Sequence, residues 1–271
     1  RYFLENHIML HLLLESSNII DHKKSNKPKF IKVDYYMNKI LLTGGSGLLG
    51  KEILKINPEI LVPNHEEFDI TNYKQMLDYI NSSPPEIIIH AGAFTSPPLI
   101  DQDPMKAINV NIIGTSNIVL LCSTFNIKLI YISTDYVFKG NKGNYRENDE
   151  LLPQNHYAWS KLGGECAVRI YSNSLIIRTS FCESIFPYDK AFVDQYTSRD
   201  SVDVIAPIIF KLSNMKDIKG IIHVGTKKKS VKELAIKLGK KNVGDLYRKD
   251  VSFHAPKDTS LNIEKLKSMT T

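Results

Sequence analysis

The stretch of sequence that decides the fold is a short apolar run followed by glycines, Lys39-Ile40-Leu41-Leu42-Thr43-Gly44-Gly45-Ser46-Gly47-Leu48-Leu49-Gly50. An apolar run that ends in glycines indicates a buried strand, a tight turn and then a helix. The glycines fit two spacings, G-x-x-G-x-x-G from Gly44 and G-x-G-x-x-G from Gly45. Either spacing lets the backbone approach a pyrophosphate at the helix N-terminus. We therefore predict a dinucleotide-binding loop whose contacts come from Gly44, Ser46, Gly47, Leu48, Leu49 and Gly50.

Outward from this loop, segments of strand and helix character alternate along the chain. The predicted strands are 39–43, 59–63, 86–90, 128–133, 174–178 and 219–224. The predicted helices are 48–56, 73–80, 104–125, 157–171 and 231–238. Strands joined by helical crossovers form a parallel sheet that is covered on both faces. The fold class is therefore α/β, a doubly wound parallel sheet, and ligands are expected beyond the carboxyl ends of its strands.

The chain divides into three predicted segments. Residues 1–36 form an N-terminal extension of unknown role, because the regular pattern begins only after Met37. Residues 37–180 form the dinucleotide-binding domain. Residues 181–271, in which the alternation weakens, form a smaller and mainly substrate-binding portion.

Composition limits the classes of partner. The chain is 42% hydrophobic and 24% charged, an ordinary globular balance. Its three cysteines, Cys122, Cys166 and Cys182, are far apart, which disfavours a disulfide framework or a metal site and fits a cytoplasmic setting. No apolar stretch approaches the roughly 20 residues that span a bilayer, and the apolar run 8–14 makes a poor signal peptide.

The net charge of +6 is concentrated near the C-terminus, where residues 211–250 hold 12 Lys/Arg against 4 Asp/Glu. No aromatic residues are interleaved with these lysines, so we interpret them as a solvated surface rather than a nucleic-acid site. A modest positive field also suits a phosphate-bearing substrate.

The sequence Tyr157-Ala158-Trp159-Ser160-Lys161 carries the candidate proton chemistry. Its phenol and ammonium stand four residues apart, which places both on one face of a helix. A lysine held near a tyrosine favours the phenolate and lowers the pKa of the phenol. Such a tyrosine can exchange a proton with an alcohol or ketone near neutral pH.

The ends of other predicted strands supply further candidates. Ser133 and Thr134 end the fourth strand, where a hydroxyl can share a substrate oxygen with a tyrosine or simply form a turn. Small residues at 91–93 let a flat cofactor lie against the backbone. Asp69 either meets an adenine amino group or caps the next helix. No carboxylate stands at the tip of the second strand, which favours NADP(H) weakly over NAD(H).

In this order, the motifs resemble those of the extended short-chain dehydrogenases/reductases, and most closely the dTDP-4-dehydrorhamnose reductases and their sugar-nucleotide relatives. The matching motifs, over roughly residues 38–265, are Thr-Gly-Gly-Ser-Gly-Leu-Leu-Gly, Ala91-Gly92-Ala93, Asn111-x-x-Gly114-Thr115, Ser133-Thr134-Asp135-Tyr136-Val137-Phe138, Tyr157-x-x-x-Lys161 and Arg178-Thr179-Ser180. The resemblance implies a Rossmann-type fold and NAD(P)H-dependent reduction of a nucleotide-linked 4-keto-6-deoxy sugar, as in dTDP-L-rhamnose or related deoxysugar biosynthesis.

The resemblance also implies roles for individual residues. The catalytic triad would be Thr134, Tyr157 and Lys161. Cofactor contacts beyond the glycine loop would come from Asp69, Ile70, Ala91, Gly92, Ala93, Asn111, Ser133, Tyr157 and Lys161. Substrate contacts would come from Thr95, Thr134, Asp135, Tyr136, Ser180 and Gln195. The expected partner is a nucleotide-sugar substrate, and a homodimer is left open.

Departures from the family pattern leave the substrate open. The chain is shorter than usual between Ser180 and Gln195, and Ala255 stands where an arginine would suit a diphosphate. Lys257 or Arg199 are alternatives for that arginine. An epimerase or dehydratase acting on a GDP- or UDP-sugar remains an alternative reading. So does a non-catalytic subunit like the regulatory subunit of methionine adenosyltransferase.

Overall fold

The computed structural model describes residues 39–270, and a central parallel sheet of five strands organises them. The strands, in chain order, are β1 (Ile40–Thr43), β2 (Ile87–His90), β3 (Lys128–Thr134), β4 (Ser174–Thr179) and a later strand, Gly220–Val224. They pair in that order, and every pairing is parallel. The interpretation of residues 1–36 lies outside the described residues.

Alternate strand residues face two separate cores. Ile40, Leu42 and Ile89 belong to one hydrophobic cluster, and Leu41 and Ile88 belong to another. The strand residues are buried on both faces of the sheet, so helices must cover both faces. The prediction of a doubly wound α/β fold is therefore confirmed.

Helices connect the strands. They are α1 (Leu48–Ile56), α2 (Tyr73–Ile80), α3 (Pro97–Gln102), α4 (Pro104–Ala107), α5 (Thr115–Phe125), α6 (His156–Ile170), α7 (Val202–Ser213), α8 (Val231–Lys237) and α9 (Glu264–Thr270). Asparagines begin two of them: Asn72 accepts from the Gln75 amide, and Asn155 accepts from the Ala158 amide. Ser230 begins α8 with a capping box.

The predicted strand at 59–63 is wrong. Only Leu61 pairs with β1: its amide donates to Ile40, and its carbonyl accepts from Leu42. Pro63 has no amide hydrogen to continue the ladder. One parallel bridge at the outer edge of β1 is all that forms.

The predicted helix at 104–125 has an irregular middle. A π-helical segment, Ile108–Gly114, joins α4 to α5. Against the expectation that no stretch reaches bilayer length, Pro104–Phe125 is the one helix within residues 39–270 that could cross a membrane by length and composition alone.

After β4 the chain forms three small two-stranded pairings. The strands are β5 (Phe181–Cys182), β6 (Lys190–Phe192), β7 (Tyr196–Thr197), β8 (Asp200–Ser201), β10 (Lys229–Ser230) and β11 (Gly244–Leu246), with Gly220–Val224 as β9. β5 pairs with β8, β6 with β11 and β7 with β10. The helix α7 was not predicted from sequence. The division at residue 180 stays a prediction.

Candidate active site

The glycine loop between β1 and α1 is too tight for side chains. A Cβ at Gly44, where φ is +77°, would lie 2.7 Å from the Gly92 nitrogen. A Cβ at Gly50 would lie 2.4 Å from the Gly44 carbonyl oxygen. Gly47 occupies the N-cap of α1 and has no side chain to satisfy the first-turn amides. Uncapped amides at a helix N-terminus fit the pyrophosphate of a dinucleotide.

The other residues predicted at this loop divide by exposure. Ser46 and Leu48 are exposed, whereas the side chains of Leu49 and Ile70 lie in the two cores. A cofactor can therefore meet Leu49 and Ile70 only through their backbone. Asp69 accepts hydrogen bonds from the amide and hydroxyl of Thr71, both at 2.8 Å, so its observed role is in a turn rather than a helix cap.

The predicted turn at 91–93, after β2, lies directly beside the glycine loop. The Gly92 amide donates to Thr43 Oγ1 at 3.1 Å. His90 lies between Thr43 and Thr115, at 2.7 and 3.0 Å from their hydroxyls. Burial, with help from Lys161, lowers the pKa of His90 to about 3, so its imidazole is neutral. We interpret His90 as a structural link between strand and helix.

Asn111 connects this turn to the helix that carries the tyrosine. Its side chain accepts from the Phe94 amide at 2.8 Å and donates to the Phe94 carbonyl at 2.9 Å. It also donates to Ser160 Oγ at 2.9 Å, and Ser160 donates to the Tyr157 carbonyl. Asn111 lies in the π-helical segment. It therefore positions both sides of the site.

Thr134 and Tyr157 come together at the carboxyl end of β3. A hydrogen bond from Thr134 lowers the pKa of Tyr157, yet burial and the Asp135 carboxylate raise it to about 12 overall. The expected lowering by Lys161 is therefore wrong. Thr134 and Arg199 both favour the phenolate of Tyr157.

Lys161 is buried on the same helix, with its ammonium 4.3 Å from the centre of the Tyr131 ring. Burial lowers the pKa of Lys161 to about 7, although the Glu165 carboxylate opposes this shift. The lysine is therefore only partly charged near neutral pH, a state that the sequence did not indicate.

Glu165 and Arg178 form a buried ion pair beneath the site. Glu165 Oε1 accepts from Arg178 Nη2 at 2.6 Å, and both side chains are 0% exposed. The other carboxylate oxygen accepts from Ser133 Oγ at 2.7 Å. Ser133 was predicted to contact the cofactor, but its hydroxyl donates a hydrogen bond to Glu165 instead. Sequence reasoning missed Glu165, although its position one turn after Lys161 was a signal.

A second polar group lies beyond Thr134. The Asp135 carboxylate accepts from Thr259 Oγ1 at 2.8 Å and from Thr134 Oγ1 at 3.3 Å. Burial raises the pKa of Asp135, while Arg199 opposes the shift. Ser180 Oγ accepts from Arg199 Nε at 2.8 Å. Ser180 and Asp135, both predicted substrate contacts, therefore share one neighbourhood with Arg199.

The remaining predicted substrate residues are placed differently. Tyr136 is half-buried near Arg199. Thr95 is exposed at the end of the turn after β2. Gln195 uses its side-chain amide to donate to the Pro256 carbonyl at 3.0 Å, so it fixes a C-terminal loop.

Comparison with known proteins gives a consistent set of similarities. The family model described as RmlD substrate binding domain matches residues 37–207. The dTDP-4-dehydrorhamnose reductase of Aggregatibacter actinomycetemcomitans is 32% identical over 195 residues, which cover 69% of this chain and 66% of the relative. Methionine adenosyltransferase 2 subunit beta of Pongo abelii is 32% identical over 141 residues, which cover 48% of this chain and 42% of the relative. The chain thus spans less than two thirds of these curated relatives.

One solved structure is similar to this chain over most of the length of both proteins. The dTDP-4-dehydrorhamnose reductase from Bacillus anthracis, in complex with NADP, superposes with a TM-score of 0.76 at 27% sequence identity. The match covers 86% of this chain and 91% of that one.

Proposed function

Because the chain belongs to the RmlD substrate binding domain family, we propose that it reduces the ketone of a nucleotide-linked 4-keto-6-deoxy sugar. The observation that carries this proposal is the meeting of Thr134 and Tyr157 at the same sheet edge as the glycine loop. The reductases named among the similar proteins support dTDP-4-dehydrorhamnose as the first substrate to test.

The side chains supply the proton and hold the carbonyl. Tyr157 donates its phenolic proton to the carbonyl oxygen, which becomes the alcohol. Thr134 turns its hydroxyl away from Asp135, to which it otherwise donates at 3.3 Å, and donates a hydrogen bond to the same oxygen as negative charge develops there. With a pKa of about 12, Tyr157 is protonated at neutral pH, which is the state that a reduction requires. Lys161, buried on the same helix, carries part of a positive charge near the site.

The cofactor is NADP(H) or NAD(H), and a bound nicotinamide supplies the hydride that reaches the carbonyl carbon. The amides of the glycine loop would hold its pyrophosphate, and the turn at 91–93 would lie against it. The NADP in the similar structure from Bacillus anthracis supports NADP(H) as the first cofactor to test.

The reaction partner is therefore a nucleotide sugar, and a cytoplasmic location is part of the proposal. The three cysteines form no disulfide, which fits a reducing compartment.

The test is a panel of 4-keto-6-deoxy sugars linked to dTDP, GDP or UDP, each assayed for oxidation of NADPH and NADH. We expect NADPH oxidation with a dTDP-linked substrate and an alcohol at C4 of the product. NADPH binding without turnover of any panel member would contradict the proposal. That outcome would favour the alternative of a non-catalytic subunit, and the similarity to methionine adenosyltransferase 2 subunit beta would then suggest the partner to test.

A further inference from the structure

Arg199 lies near the reacting groups and also lines a cavity. β3 and β4 pair in register so that Thr134 lies opposite Thr179. Ser180 is the next residue, and its hydroxyl accepts from Arg199 Nε at 2.8 Å. The guanidinium is therefore held just beyond Thr134, at the edge where a ligand of the sheet is expected.

The backbone of Arg199 is fixed on both sides. Its amide donates to Thr197 Oγ1 at 2.9 Å, and its carbonyl accepts from Lys229 Nζ at 2.8 Å. The next residue, Asp200, is buried and pairs with Phe181 through the β5–β8 pairing. A side chain on such an anchored segment is preorganised, which lowers the entropic cost of binding a ligand.

Asp135 and Tyr136 stabilise the positive charge of Arg199 without forming an ion pair with it. Within residues 39–270 it forms no ion pair shorter than 4.0 Å. The nearby Asp135 carboxylate is already hydrogen-bonded to Thr134 and Thr259. One donor of the guanidinium is used on Ser180, and Tyr136 takes a further hydrogen bond. The remaining N–H groups can still act on a ligand oxygen.

Arg199 also lines a cavity of about 320 Å³. Leu48, from the helix after the glycine loop, forms one wall, and Phe186 and Leu234 contribute apolar surface. Of the described side chains that line this cavity, Arg199 is the single cation and Glu183 the single carboxylate. A mostly apolar cavity of this size with few polar groups is typical of a site for a small ligand.

We propose that Arg199 binds the sugar of the substrate, donating to an oxygen next to the carbonyl that Tyr157 protonates. The inference rests on the proposed function and assigns Arg199 to the sugar rather than to the diphosphate. It also explains how a chain that is short between Ser180 and Gln195 can hold a sugar. The positive charge of Arg199 additionally favours ionisation of Tyr157.

The experiment compares two ligands in the NADPH complex by calorimetry, dTDP and dTDP-L-rhamnose. Arg199→Gln should weaken dTDP-L-rhamnose about tenfold or more, the loss expected for a charged hydrogen bond, and leave dTDP unchanged. In turnover of the keto sugar, KM should rise by a similar factor while kcat changes less. Arg199→Lys, which keeps the charge, should recover part of the affinity for dTDP-L-rhamnose.

The matched control is Arg248→Gln. Arg248 is also half-buried and donates from Nε to a protein oxygen, the Ala255 carbonyl, at 2.8 Å. The Arg248→Gln variant should bind both ligands with the affinity of the wild type. An Arg199→Gln variant that loses dTDP and dTDP-L-rhamnose equally, or loses neither, would overturn the inference. A wild type that turns over no keto sugar would instead contradict the proposed function.

Discussion

The Ser133 hydroxyl donates to Glu165 Oε2 at 2.7 Å, so the end of β3 is tied to the helix that carries Tyr157 and Lys161. The same carboxylate pairs with the buried Arg178. One side chain thus joins the strand that ends in Thr134, the neighbouring strand β4 and the catalytic helix. Its loss should affect both the stability of the fold and the position of the tyrosine.

Glu165→Gln should lower the free energy of unfolding by about 3 kcal/mol, because it leaves a buried guanidinium without its counter-charge. Urea unfolding measures this change. The control is Glu264→Gln, which removes an exposed pair with Arg146 at 3.9 Å and should cost less than about 0.5 kcal/mol. Equal losses in the two variants would contradict the role given to the buried pair.

The low pKa of Lys161 should make stability depend on pH. The folded value of about 7 lies below the ordinary 10.5, so between these values the unfolded chain binds more protons than the folded one. The contribution of Lys161 to the free energy of unfolding is therefore absent below about pH 7 and increases as the pH rises toward 10.5.

Relative to Lys161→Met, the wild type should gain about 2 kcal/mol in unfolding free energy between about pH 7 and pH 9. Denaturant unfolding at both pH values gives the difference. Lys51→Met, at an exposed position of α1, should respond to pH like the wild type. A Lys161→Met protein that follows the wild type at both pH values would show that this lysine does not titrate there.

The glycine loop should fail when a methyl group is added at its closest contact. Gly50→Ala places a Cβ 2.4 Å from a backbone oxygen, which forces the loop open and should weaken NADPH at least tenfold. At Gly244, in β11 and away from the loop, the added Cβ would lie 3.3 Å from Lys190 Cγ, a flexible side chain. Gly244→Ala should therefore keep the NADPH affinity, which fluorescence titration can check. Unchanged affinity in Gly50→Ala would argue against pyrophosphate binding here.

Local patterns were enough to predict the alternating elements and the loop. The segment 48–56 is a helix because its apolar residues recur at helical spacing and Pro58 follows. The run 59–63 is also apolar, yet it forms only one β-bridge, because Pro63 has no amide hydrogen to donate to the sheet. Pro63 was therefore a local signal against a strand, whereas the single bridge of Leu61 depends on the neighbouring strand β1.

The site was predictable where its residues belong to one motif and unpredictable where they meet through the fold. Tyr157 and Lys161 share a helix, so their proximity follows from spacing. Arg199 reaches Ser180 only because β5 pairs with β8, a contact with no local signal. The raised pKa of Tyr157 likewise depends on burial and on Asp135, which no spacing reveals.

Tyr157 is the proposed proton donor in ketone reduction. The most direct measurement compares wild type and Tyr157→Phe for turnover of dTDP-4-dehydrorhamnose with NADPH and, separately, for NADPH affinity. We predict that kcat falls by at least about 100-fold while the dissociation constant of NADPH stays within about twofold. A Tyr157→Phe enzyme that keeps kcat within about threefold of the wild type would contradict the account.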